Sequence, residues 1–301
     1  MAANVTKQTA LAELKAYRNT YPLKMLKLKD GKKLPFRFYD NPDCKTTVVL
    51  LPSGTGFSDL YYLFFDRLVK KFSVLTCDYS LDFKSMDEFV YGLSSLLRTV
   101  GRKGWLVGQT LGGNMAELMA KEHPDQVEGM VFIDCCGMTA DHGSPAYEAL
   151  SKLWGNNRAL EGVLSITPAP IVKATLKAKV MAGATGLTEA QHGLFDVVCN
   201  EMVDDLDKAS MKHLIELIDD TAEHMDMKPG DFDAWKGKCL VFITGDSTFP
   251  DVCKESLVSI LPDPKVVRLD NPGTLTCFVQ PDDYVGTIAA FIESAEGAPE
   301  E

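Results

Sequence analysis

The run Gly104-Trp-Leu-Val-Gly-Gln-Thr-Leu-Gly-Gly113 constrains this chain more than any other stretch. A short apolar segment of strand type, Trp105 to Val107, passes within a few residues into the helical pattern Asn114-Met-Ala-Glu-Leu-Met119. So short a passage requires a tight turn, and Thr110 stands at its apex. Gly108 and Gly112 lie two residues before and two after it. Glycines there let strand and helix pass closely around a residue held at positive φ. Such a residue is strained, and a β-branched one more so than Ser. Thr110 therefore keeps a hydroxyl at the apex while making the turn harder to form.

The rest of the chain repeats the strand-to-helix theme. A short amphipathic helix with Leu11, Leu14 and Tyr17 on one side precedes three strand-like runs, Leu23 to Leu28, Leu34 to Tyr39 and Thr46 to Leu51. Asp30-Gly31 between the first two is a hairpin signal. The pattern then alternates: helix 58–70, strand Phe72 to Cys77, helix 85–100, strand Trp105 to Val107, helix 112–123, strand Val127 to Ile133. It resumes with strand Leu240 to Thr244, helix 250–260, strand Lys265 to Leu269 and helix 282–294. Antiparallel strands followed by β-α alternation predict an α/β fold with a mostly parallel central sheet and helices on both faces.

Between the sixth and seventh strands the alternation stops for about a hundred residues. Ala146–Trp154, Ile171–Val180, Glu189–Asp205 and Met211–His224 all read as helices. Residues 140–235 are expected to form a helical lid over the C-terminal ends of the strands, where open α/β sheets bind ligands. The last of these helices is a candidate for the core, and an insertion without a ligand is the alternative. Residues 1–139 and 236–295 make up the core, and 296–301 a polar tail.

Composition narrows the partners. A 301-residue chain can bury one large core. A formal net charge of −11 argues against nucleic acid and anionic membrane. The eight cysteines show no C-x-x-C spacing and mostly sit in apolar runs, so reduced thiols in a cytoplasmic protein are expected. No secretory leader or membrane-spanning run is read in the sequence. Metal-binding histidine pairs, a P-loop and a dinucleotide fingerprint are all missing, so no cofactor and no metal are expected.

The Gly-x-Thr-x-Gly turn between strand and helix, the strand order and the helical insertion together resemble the α/β-hydrolase superfamily over nearly the whole chain. Three further strings are similar to the maspardin group: Tyr17-Arg-Asn-Thr-Tyr-Pro-Leu-Lys24, Leu50-Leu-Pro-Ser-Gly-Thr55, and Asp59-Leu-Tyr-Tyr62. That resemblance implies a hydrolase fold with an incomplete triad. It places Thr110 at the nucleophile position, where the superfamily's Ser would stand. By the usual Gly-x-x-Asp ending, the acid position falls on Thr248, with Asp246 two residues early. Counting back from Gln280-Pro281, the His position falls on Thr274, and no His follows His224 anywhere. The resemblance also places an oxyanion-binding loop at Pro52-Ser53-Gly54-Thr55-Gly56, with Thr55 N–H and Leu111 N–H as donors.

Without a base, a Thr hydroxyl is a very poor nucleophile at neutral pH. His142, near the end of the sixth strand, is the one histidine placed to overhang the turn. His123, His192, His213 and His224 read as structural. Cys277, three residues from the His position, reads as a buried thiol, and Asp134 as a loop cap.

The sequence thus points to a hydrolase-like chain with a degenerate triad that is non-catalytic or very weak. It would bind a small carbonyl or carboxylate ligand through Ser53, Gly54, Thr55, Gln109 and Leu111, or a protein partner. Two alternatives stay open: a divergent ester or amide hydrolase using Thr110 with a base such as His142, and an interaction scaffold whose pocket is filled.

Overall fold

In the computed structural model the described residues are 7–182, 187–245, 249–270 and 276–296. Eight strands form one sheet: β1 (Lys24–Lys27), β2 (Lys33–Tyr39), β3 (Thr47–Leu51), β4 (Ser73–Cys77), β5 (Gly104–Gln109), β6 (Val127–Ile133), β7 (Lys238–Thr244) and β8 (Lys265–Leu269). Their order across the sheet is β1-β2-β4-β3-β5-β6-β7-β8. The pairs β1/β2 and β2/β4 are antiparallel and every later pair is parallel. Gly31, at φ 90°, makes the β1–β2 turn that Asp30-Gly31 foretells.

The central strands are apolar throughout because both faces are covered. Alternate residues serve opposite layers. Val49, Leu51, Leu106 and Phe132 pack under α3 (Met86–Val100), α4 (Leu111–Glu122) and α9 (Asp251–Ile260). Val48, Leu50, Val107 and Ile133 pack under α1 (Lys7–Thr20), α2 (Tyr62–Leu68) and α11 (Pro281–Glu296). The helix ends are chemically marked. Ser85 caps α3 by accepting from Glu88 N–H, and Gly101 closes it in the left-handed region at φ 66°.

Among the described residues, four α-helices lie between β6 and β7: α5 (Pro145–Ile166), α6 (Ala169–Ala182), α7 (Glu189–Asp205) and α8 (Lys208–Asp220). α5 runs well past Trp154, through Gly155-Asn-Asn, where the local sequence reads as a stop. Contacts with the neighbouring helix and its extension override that signal: Trp154 Nε1 donates to Thr221 Oγ1 at 3.0 Å, Asn157 Nδ2 to Asp219 Oδ1 at 3.2 Å, and Lys212 pairs with Glu161. α7 packs along α1 through Phe195, Cys199 and Met202, on the sheet face opposite α4. α5 and α8 stay with the α4 face.

The N-terminal helix is fastened by charge. Asp59 accepts from Arg18 Nε at 2.7 Å and from Arg37 Nη2 at 2.8 Å, while Arg18 Nη1 reaches Glu201 on α7 at 2.9 Å. Arg37 is almost fully buried and lies over the Tyr17 ring. Tyr17, Arg18 and Asp59, prominent in the maspardin-like strings, therefore hold the fold together away from the Thr110 turn. No helix among the described residues is long and apolar enough to cross a membrane.

Candidate functional site

β5 ends at Gln109 and α4 begins at Leu111, so a single residue makes the turn. Thr110 adopts φ 48°, ψ −114°, the positive φ expected from its glycine bracket. The glycines are required by contact. A Cβ on Gly108 would lie 2.3 Å from the Gly112 carbonyl carbon and oxygen, and one on Gly112 would lie 2.4 Å from Leu51 O. A strained apex backed by glycines with no spare volume is a built feature, since such a conformation persists only when its surroundings enforce it.

Thr110 opens into a cavity of about 250 Å³. Its floor is the turn itself, Gln109, Thr110 and Leu111, with Ser53, Gly54 and Thr55 alongside. Every ligand-contact residue read from the sequence therefore borders one space. The walls come from elsewhere: Cys136 to Met138 after β6, Leu150, Leu153, Trp154 and Asn157 on α5, Ile218 on α8, then Thr221, Met225 and Phe249. Local sequence does not mark these wall residues, because only the packing of α5 against α8 brings them over the turn.

The loop after β3 is held in place from behind. Gly56 N–H returns to Ser53 O at 2.9 Å, Tyr79 Oη donates to Pro52 O, and Ser58 N–H donates to the half-buried Asp78 carboxylate at 2.8 Å. Thr55 N–H, one of the expected donors, is directed at Ser53 Oγ, 3.4 Å away, in a local side-chain turn, and Gly54 N–H points at Thr110 Oγ1, also at 3.4 Å. Leu111 N–H is at the first position of α4, where no intrahelical acceptor exists.

A second feature escaped the sequence reading. Glu117, on the buried side of α4, accepts from Asn114 Nδ2 at 3.0 Å and from Met138 N–H at 3.2 Å. Asn114 also donates to Cys136 O at 2.8 Å. This network fixes the cavity wall at 136–138. Burial pushes the Glu117 carboxyl up to about 8, and the two hydrogen bonds oppose the shift. The signal available was an acidic residue on an otherwise apolar face, Met115-Ala-Glu-Leu-Met119.

None of the five histidines borders the cavity. His142 bonds through Nε2 to Met225 O at 2.6 Å and stacks on Tyr147, with ring centroids 4.5 Å apart. It braces the wall from outside and does not reach Thr110. His224 lies against Asp220 and Asp87, which raise its pKa, the Asp220 hydrogen bond most. Cys277 is fully buried with Gln109 Nε2 3.4 Å from its sulfur, and burial raises its thiol far above the usual range. Asp134 is buried at the end of β6 with φ 52°. The expected acid and His positions, Asp246, Thr248 and Thr274, lie outside the described residues. Among the described residues no group of three His, Cys, Asp or Glu is disposed to hold a metal ion.

No protein-family model and no curated protein matches this chain. Solved structures do. A thermophilic esterase from Thermogutta terrifontis superposes with a TM-score of 0.70 at 17% identity, covering 91% of this chain and 98% of that one. The fold is that of the α/β-hydrolases. A hydrolase from Pseudomonas aeruginosa gives 0.68 at 15% identity, over 92% and 99% of the two chains. An enol-lactonase from Burkholderia xenovorans gives 0.67 at 17%, over 90% and 100%.

Proposed function

We propose that this α/β-hydrolase-fold chain is a non-catalytic or very weakly catalytic member of the fold, similar to the maspardin group, whose cavity binds a small carbonyl or carboxylate ligand. The observation that carries this reading is the company Thr110 keeps. Its hydroxyl faces a backbone N–H and no imidazole, and all five histidines lie elsewhere. Loss of triad members costs about 10⁴- to 10⁶-fold in rate, so an elbow without a base falls towards the background reaction. The cavity is open, which favours a small ligand over a scaffold with a filled pocket.

In this reading α5 and α8 act as a lid, joined by the Trp154–Thr221 hydrogen bond above the elbow. Ser53, Gly54, Thr55, Gln109 and Leu111 contact the ligand, and Thr110, Thr248 or Asp246, and Thr274 are vestigial triad positions. Eight cysteines without C-x-x-C spacing, seven of them buried, support a cytoplasmic location. A divergent hydrolase working through His142 would require that ring to leave both Met225 O and Tyr147.

The test is turnover of short p-nitrophenyl esters by the wild-type chain and by Thr110→Ala. The expected result is a background rate for both. A rate well above background that disappears in Thr110→Ala would instead establish a divergent hydrolase.

A further inference from the structure

The cavity has no charged side chain among the described residues that line it. Its polar groups are hydroxyls, amides and backbone. At the floor, Thr110 Oγ1 accepts from Gly54 N–H, so the hydroxyl is left with a proton to donate. Leu111, also at the floor, carries an amide with no acceptor inside its helix.

We propose that the cavity selects an uncharged carbonyl group on an apolar tail and rejects the corresponding carboxylate, with Thr110 acting as a hydrogen-bond donor to the carbonyl oxygen. This rests on the small-ligand reading above and narrows it. A carbonyl oxygen takes one or two donors, which the Thr110 hydroxyl and the Leu111 amide supply. A carboxylate has to shed water from both oxygens, and no cation among the described lining residues pairs with it. The α4 N-terminus favours negative charge, but only weakly beside that desolvation cost.

Size sets the probe. A cavity of roughly 150 Å³ holds benzene, so one of about 250 Å³ takes about ten non-hydrogen atoms. Octanamide and octanoate are of that size and differ in little but charge. Trp154 lines the cavity and reports occupancy by its fluorescence, and calorimetry gives an independent affinity.

The experiment titrates each compound into the full chain at pH 7 and again near pH 5. Octanamide is expected to bind at least about tenfold more tightly than octanoate at pH 7, the fold-change of one well-made hydrogen bond or more. Octanoate is expected to gain on acidification as its carboxyl becomes protonated, with octanamide as the control for changes in the protein. Thr110→Val, which keeps the branched shape and removes the hydroxyl, is expected to weaken octanamide about tenfold. Octanoate binding as tightly as octanamide at pH 7, or octanamide affinity unmoved by Thr110→Val, overturns the charge selection and leaves the small-ligand reading standing. Binding of neither compound at millimolar concentration overturns both.

Discussion

Glu117→Gln is expected to change how the stability of this protein depends on pH. Glu117 is fully buried on α4, with donors from Asn114 and Met138 on its two oxygens. Burial raises its carboxyl from 4.5 to about 8. The unfolded chain releases that proton at the ordinary value, whereas the folded chain retains it to about pH 8. Between those limits the native state binds more protons than the unfolded state, so stability falls as pH rises. A fully buried group shifted this far removes about 5 kcal/mol across the window, and it adds no slope below or above it. Gln removes the titration at a cost that does not vary with pH. An amide nitrogen cannot accept from Met138 N–H, and leaving that buried donor unpaired costs about 1–3 kcal/mol. The variant is therefore expected to be less stable than wild type near pH 5 and more stable near pH 8.5, with the curves crossing between. Urea unfolding followed by circular dichroism at steps across that range reads both curves. Parallel curves would refute the reasoning, because they would show that Glu117 titrates alike in both states.

Gly112→Ala should destabilise severely or abolish folding, because its Cβ would lie 2.4 Å from Leu51 O, a backbone atom of the central sheet; a melting temperature within a few degrees of wild type would contradict the elbow packing. Thr110→Ser with Thr248→Asp and Thr274→His is expected to restore measurable esterase activity, and Thr110→Ser alone to restore none. Ser alone should still raise stability by a few tenths of a kcal/mol, since it tolerates the elbow φ better than Thr. An inert triple variant that folds would show either that the acid and His positions are misplaced or that the oxyanion-binding loop is deformed.

What the sequence made legible was local. The elbow could be read because glycine spacing and an adjacent strand and helix are enough to define it, and Thr110 adopts the positive φ that pattern demands. The β1–β2 hairpin followed from Asp30-Gly31 for the same reason. Tertiary contacts set the remainder. α5 continues through Gly155-Asn-Asn because Trp154, Asn157 and Glu161 are tied to α8 or the turn that follows it, a partner some sixty residues away in sequence. Ion pairs to Lys7 and Arg18 hold α7 on α1, a placement that its own helical periodicity does not specify. The directions of the Gly54 and Thr55 amides depend on the positions of two hydroxyls, Thr110 Oγ1 and Ser53 Oγ, which no spacing rule specifies. The direction of the His142 ring was equally hidden, since it depends on Met225 O and Tyr147.

The most direct test of the central claim is intact-mass spectrometry of the wild-type chain after incubation with an alkyl fluorophosphonate, an electrophile that labels activated hydroxyl nucleophiles. With Thr110 facing the Gly54 amide and no imidazole beside it, the chain should keep its unmodified mass. A stoichiometric adduct that maps to Thr110 and is lost in Thr110→Val would show an activated nucleophile and contradict the claim.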